Sequence, residues 1–249
     1  MRRLIWGDFR RILAKKTVGV TFILALLFIV GRVSLLYMAY DNSPFAAVKY
    51  LIQTLPLVSA IISVVIFNAV YADDFKSMSF VTAIGRGIPR TKVVIAKLID
   101  IAILMVVIYA VMTIILNLLI VVPSGGFNHT LTVAWYTTIG VVVYKSFGYI
   151  ALASLVLYIT NNIPLGSVVL ALLHIVMEFS TQMFSLIKFL KPFHLDRLNY
   201  AGLADNAASD FMMGAYGMGT LKLLIGLVFY LTVVIIVTNV LFEKKELEF

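Results

Sequence analysis

The sequence contains no cysteine, which excludes disulfides, thiol nucleophiles and Cys-ligated metal centres. It is also poor in charge. Asp, Glu, Lys and Arg supply 13% of its 249 residues, against about 25% in soluble domains. Apolar residues fill the gap at 62%, where about 45–50% is usual, and the mean hydropathy is +1.04. A water-soluble protein with a single core is thereby excluded. The 20 Lys and Arg against 12 Asp and Glu leave a net charge of +8. In so apolar a chain, that excess reads as membrane orientation and attraction to anionic headgroups, and nucleic-acid binding is set aside.

Apolar runs long enough to cross about 30 Å of hydrocarbon predict an all-α, polytopic membrane protein with six spans at 18–39, 51–72, 99–122, 131–159, 165–190 and 221–242. The whole chain forms one transmembrane domain, with a longer inner segment at 73–98 and a longer outer, apolar one at 191–220. Thirteen of the 20 basic residues fall on the side of the N-terminus and six on the other, with Lys145 inside span 4. The positive-inside rule therefore places both termini in the cytoplasm. The basic N-terminus leads into an uncleaved first span rather than a signal peptide.

Before span 1, Ile5, Trp6, Phe9, Ile12 and Leu13 share one helical face, opposite Arg3, Asp8, Arg10, Arg11 and Lys15. This pattern predicts an interfacial amphipathic helix over 1–16. In the 73–98 segment, residues from Asp74 to Ile84 alternate apolar and polar at roughly helical spacing. Gly85-Arg86-Gly87-Ile88-Pro89-Arg90 then supplies two permissive glycines and a proline able to open the next helix. A short helix across the cytoplasmic face is expected, or else a basic loop on lipid headgroups.

Ionisable residues inside spans are costly and therefore informative. Lys145 lies 14 residues into span 4 and Glu178 13 residues into span 5, so at 1.5 Å per residue both reach mid-depth. His174 precedes Glu178 by one turn and shares its face. Three roles are open to this cluster: a structural ion pair, the lining of a substrate cavity, or a proton relay. Lys97 and Asp100, three apart, are expected to pair at the inner interface. His129 and His194 lack a second ligand at metal spacing, so no metal site is expected.

The acidic end of span 2, the short amphipathic helix and the Gly-x-Gly-Ile-x-Arg-x-Lys run (Gly85 to Lys92) resemble the permeases of type-2 ABC exporters, particularly small bacterial peptide or lantibiotic exporter and immunity permeases. The elbow helix, six spans, tiny turn between spans 4 and 5, longer outer segment and charged tail extend the resemblance over essentially the whole chain. It implies that Asp74, Phe75, Met78, Phe80, Val81, Ile84, Gly85, Arg86 and Gly87 form a coupling helix docking on a separate ATPase subunit, usually in two copies. A second membrane subunit, identical or different, and the lipid bilayer complete the partners. No Gly-x-x-x-x-Gly-Lys-Ser/Thr occurs, so ATP and Mg are expected on the partner alone, and this chain is no enzyme and binds no cofactor. The implied function is ATP-driven alternating-access export of amphipathic, antimicrobial or toxin peptides across a bacterial plasma membrane. The alternatives are an ion-coupled transporter using His174, Glu178 and Lys145, and a membrane anchor or sensor that recruits a cytoplasmic partner.

Overall fold

A computed structural model describes residues 11–12, 14–39, 44–77, 82, 84–85, 87–122, 125–186 and 199–243. Among these are seven α-helices and no strand: α1 (Lys16–Ala39), α2 (Pro44–Lys76), α3 (Arg90–Leu116), α4 (His129–Thr160), α5 (Ile163–Leu186), α6 (Tyr200–Met212) and α7 (Tyr216–Glu243). Five of them, α2, α3, α4, α5 and α7, are long and apolar enough to cross a membrane. This is the build of a helical membrane protein.

The helices start earlier than the apolar runs: α2 at Pro44 rather than 51, α3 at Arg90 rather than 99, and α7 at Tyr216 rather than 221. Hydropathy marks the residues at hydrocarbon depth, whereas helical hydrogen bonding continues through polar flanks without cost. The connection between α2 and α3 consequently shrinks to 77–89, and within it the described residues Thr82, Ile84 and Gly85 are helical. Within it Gly87 sits at φ +87 and its N–H returns to Ile84 O at 2.9 Å, a turn in the left-handed region that suits glycine.

The tight turn after α4 follows from two asparagines. Asn161 takes the left-handed conformation that ends α4, and Asn162 Oδ1 accepts from Leu165 N at 3.0 Å to cap α5. At the far end of α3, a π-helical turn over Asn117–Val121 closes with Val122 N on Asn117 O at 3.0 Å.

Helix α4 is the hub, packing against α2, α3, α5, α6 and α7. In its most apolar stretch 61% of residues are buried, against 11% in α5 and 17% in α7. The outward faces of α5 and α7 are correspondingly apolar, with Leu172, Ile175, Phe179, Leu224, Val228 and Phe229 exposed, as lipid contact requires. At one end of the bundle α2, α3 and α4 meet. There Tyr71, Phe75 and Tyr158 pack ring against ring, with Tyr71 and Tyr158 edge to face at 5.9 Å. Below, this is called the Asp74 end.

The 191–220 segment is not a simple outer loop. Its helix α6 runs into the bundle and packs on α4, α5 and α7, through the small buried residues Ala201, Gly202, Ala204 and Ala207. Small residues let helix backbones approach closely. At Gly219 on α7, an added Cβ would lie 2.9 Å from Ala207 O.

Candidate functional site

Among the described residues, two clusters of charge are built into the bundle, one in each half. The first is the Asp74 end. Asp74 closes α2 and is 5% exposed; its carboxylate takes Arg11 Nη1 at 2.9 Å and the ammonium of Lys97. Next to it, Lys15 reaches Asp73 at 2.8 Å and donates to Ala69 O at 2.6 Å. Lys97 thus reaches back to the preceding helix, a partner that its spacing to Asp100 does not anticipate. The cluster ties the chain just before α1, the end of α2 and the start of α3 into one unit.

The residues expected in the coupling helix differ in their exposure. Asp74 is buried and ion-paired, and Phe75 is half-buried, packing against Tyr71 and Tyr158. Ile84 is half-buried against the core. Gly85 and Gly87 are exposed. Ile12 of the amphipathic stretch is fully buried in the core. Met78, Phe80, Val81 and Arg86, and Ile5, Trp6, Phe9 and Leu13, lie outside the described residues.

The second cluster lies in the half of the bundle away from Asp74. Lys145, midway along α4, donates to Glu178 Oε1 of α5 at 2.7 Å and lies 2.8 Å from Asp205 Oδ1 of α6. The ammonium is nearly buried, with 11% of its side chain exposed, while Glu178 and Asp205 retain 41% and 48%. A lone buried ammonium would cost several kcal/mol; two carboxylates at hydrogen-bond distance offset that and join three helices at one atom.

Beside this triad is a cavity of about 470 Å³, within the roughly 300–1,000 Å³ of small-molecule sites. Pro56 and Ser59 of α2, Thr137, Thr138 and Ser146 of α4, and Met212 of α6 contribute to its wall. Pro56 withholds the N–H that would close on the Ile52 carbonyl, and both residues face the cavity. His174 and Tyr149 also line it. The two rings pack edge to face at 4.8 Å, and His174 Nδ1 lies 3.1 Å from Leu170 O.

An aromatic chain anchors α6 behind the triad. Tyr200 donates to the Tyr144 carbonyl at 2.8 Å, stacks on the Tyr144 ring at 4.5 Å and meets Tyr230 edge to face at 5.1 Å. It lies directly over Gly148, where any Cβ would overlap the phenol. The sequence reading names Lys145, His174 and Glu178, and the structure brings all three to one cavity. It misses Asp205 and Tyr149. Asp205 sits among small residues at helical spacing, Ala201, Ala204 and Ala208, and this stripe is the available sign that 200–212 packs inward.

Comparison with protein-family models finds no match, and comparison with curated proteins finds none either. The functional reading therefore rests on the residues and their geometry.

Proposed function

We propose that this chain is the membrane-spanning subunit of an ATP-driven exporter of amphipathic peptides, with α1 as a sixth span. The observation that carries the reading is the Asp74 lock. It joins the two helices that flank the 77–89 connection, so a push on that connection from a partner ATPase moves α2 and α3 as one body. α2 also lines the cavity through Ile52, Pro56 and Ser59, so this movement reaches the polar site.

Under the orientation implied by the basic residues, the Asp74 end is cytoplasmic and the cavity lies in the outer half. That is where cargo is released in alternating access. The docking role falls to the exposed part of the connection, around Gly85 and Gly87, and not to Asp74 and Phe75.

The test separates ATP from ion gradients. Cells expressing the chain with its native cytosolic partners are loaded with a fluorescent amphipathic peptide, and efflux is followed. Efflux that persists under a protonophore while ATP is maintained, and stops on ATP depletion, supports the exporter. Efflux abolished by the protonophore with ATP intact contradicts it and favours a transporter coupled through the Lys145 cluster.

A further inference from the structure

Among the described residues charge is unbalanced at the cavity: two carboxylates, Glu178 and Asp205, face one ammonium, Lys145, leaving one formal negative charge. Lys145 reaches a single oxygen on each, Oε1 and Oδ1, so the second oxygens keep lone pairs. The histidine adds to this. A backbone carbonyl only accepts, so His174 Nδ1 donates to Leu170 O; in the neutral ring Nε2 is then an acceptor. Nε2 is buried without a hydrogen-bond partner among the described residues.

A further buried polar group points the same way. Tyr149 is 1% exposed, it lines the cavity, and its hydroxyl has no hydrogen-bond partner among the described residues. A buried hydroxyl without a partner costs on the order of 1–3 kcal/mol, which a ligand's polar group would recover. Around these acceptors stand apolar surfaces from Ile52, Pro56, Val141, Val142 and Met212.

We propose that the cavity binds a cationic N–H donor, a primary ammonium or guanidinium carried on an apolar group, with Glu178, Asp205 and His174 as acceptors and Tyr149 as an additional partner. This deepens the exporter reading by naming the cargo's recognised chemistry: at about 470 Å³ the cavity holds one basic side chain and its apolar surroundings, not a folded peptide. Lys145 sets the selectivity, because it neutralises one carboxylate and leaves room for one cation, while repelling a second.

The test uses the full chain in phosphatidylcholine nanodiscs, with empty nanodiscs as the blank. Dansylcadaverine is the cationic probe, and its N-acetylated form is the neutral control. Expected is binding of the amine at least about tenfold tighter than of the acetylated probe, the scale of one charge-assisted hydrogen bond. Asp205→Asn removes that preference, Asp205→Glu restores part of it, and Tyr149→Phe weakens the amine by about three- to tenfold while leaving the acetylated probe unchanged. Thermal unfolding of each variant in the same nanodiscs identifies those that fail to fold, and the Tyr149→Phe arm reads the site without altering charge. Equal binding of both probes, or unchanged preference in Asp205→Asn, overturns the proposal. The measurement needs no ATPase: loss of selectivity with ATP-dependent efflux intact rejects the cation site alone, whereas selectivity without ATP-dependent efflux leaves the site and rejects the exporter.

Discussion

Asp73 and Asp74 are neighbours in sequence and opposites in energetics. Asp74 and Lys97 each expose 7% of their side chains, whereas the Asp73 side chain is 48% exposed. Removing one partner of a buried pair strands the other charge, at about 3–5 kcal/mol, while an exposed pair contributes under about 1 kcal/mol. Thermal unfolding in nanodiscs is therefore expected to drop sharply for Asp74→Asn and hardly at all for Asp73→Asn. At the other cluster the carboxylates are half exposed, so Lys145→Met should cost less, about 1–3 kcal/mol, between the exposed-pair and buried-pair ranges. Adding Glu178→Gln to it should recover part of the loss, a coupling that a double-mutant cycle in the same assay reads directly. At this scale the sequence was partly legible. Lys145 and Glu178 announce themselves by their depth in apolar runs, since hydrocarbon penalises an unpaired charge. Arg11, Asp74 and Lys97 do not, because their partnership depends on three separate helix ends converging.

Helix α6 shows what periodicity and hydropathy leave out at the scale of the element. The apolar runs marked the long helices, because the bilayer selects for length and apolarity. A 13-residue helix meets neither test, yet it delivers Asp205 to the ammonium. Its docking depends on Tyr200 lying over Gly148, a close approach across 52 residues that no local rule encodes. Gly148→Leu should displace the Tyr200 ring, with an overpacking cost of about 1–3 kcal/mol, and loosen α6 from α4. The absence of native cysteine makes the check clean: a single cysteine at Ala208, on the cavity wall, should react faster with a maleimide in the Gly148→Leu background. Equal rates would mean that α6 is held by other contacts, such as Lys222 to Asp210 at 2.6 Å. Helix boundaries were the other shortfall, since Arg90 and Thr91 join α3 although they precede its apolar run.

In the whole molecule, α2 runs from the cavity in one half to the charge lock at the other end, and the 77–89 connection follows that lock. The proposed exporter requires that this connection receive an ATPase. The most direct measurement is affinity co-purification of the detergent-solubilised chain with its native membrane and cytosol, comparing wild type with Gly85→Glu. Gly85 is exposed, so the added carboxylate alters the docking surface without entering the core, which a change at half-buried Ile84 would do. An ATPase is expected to accompany the wild type and to be lost with Gly85→Glu, while thermal unfolding stays unchanged. No ATPase with the wild type, or equal recovery with both chains, would contradict it.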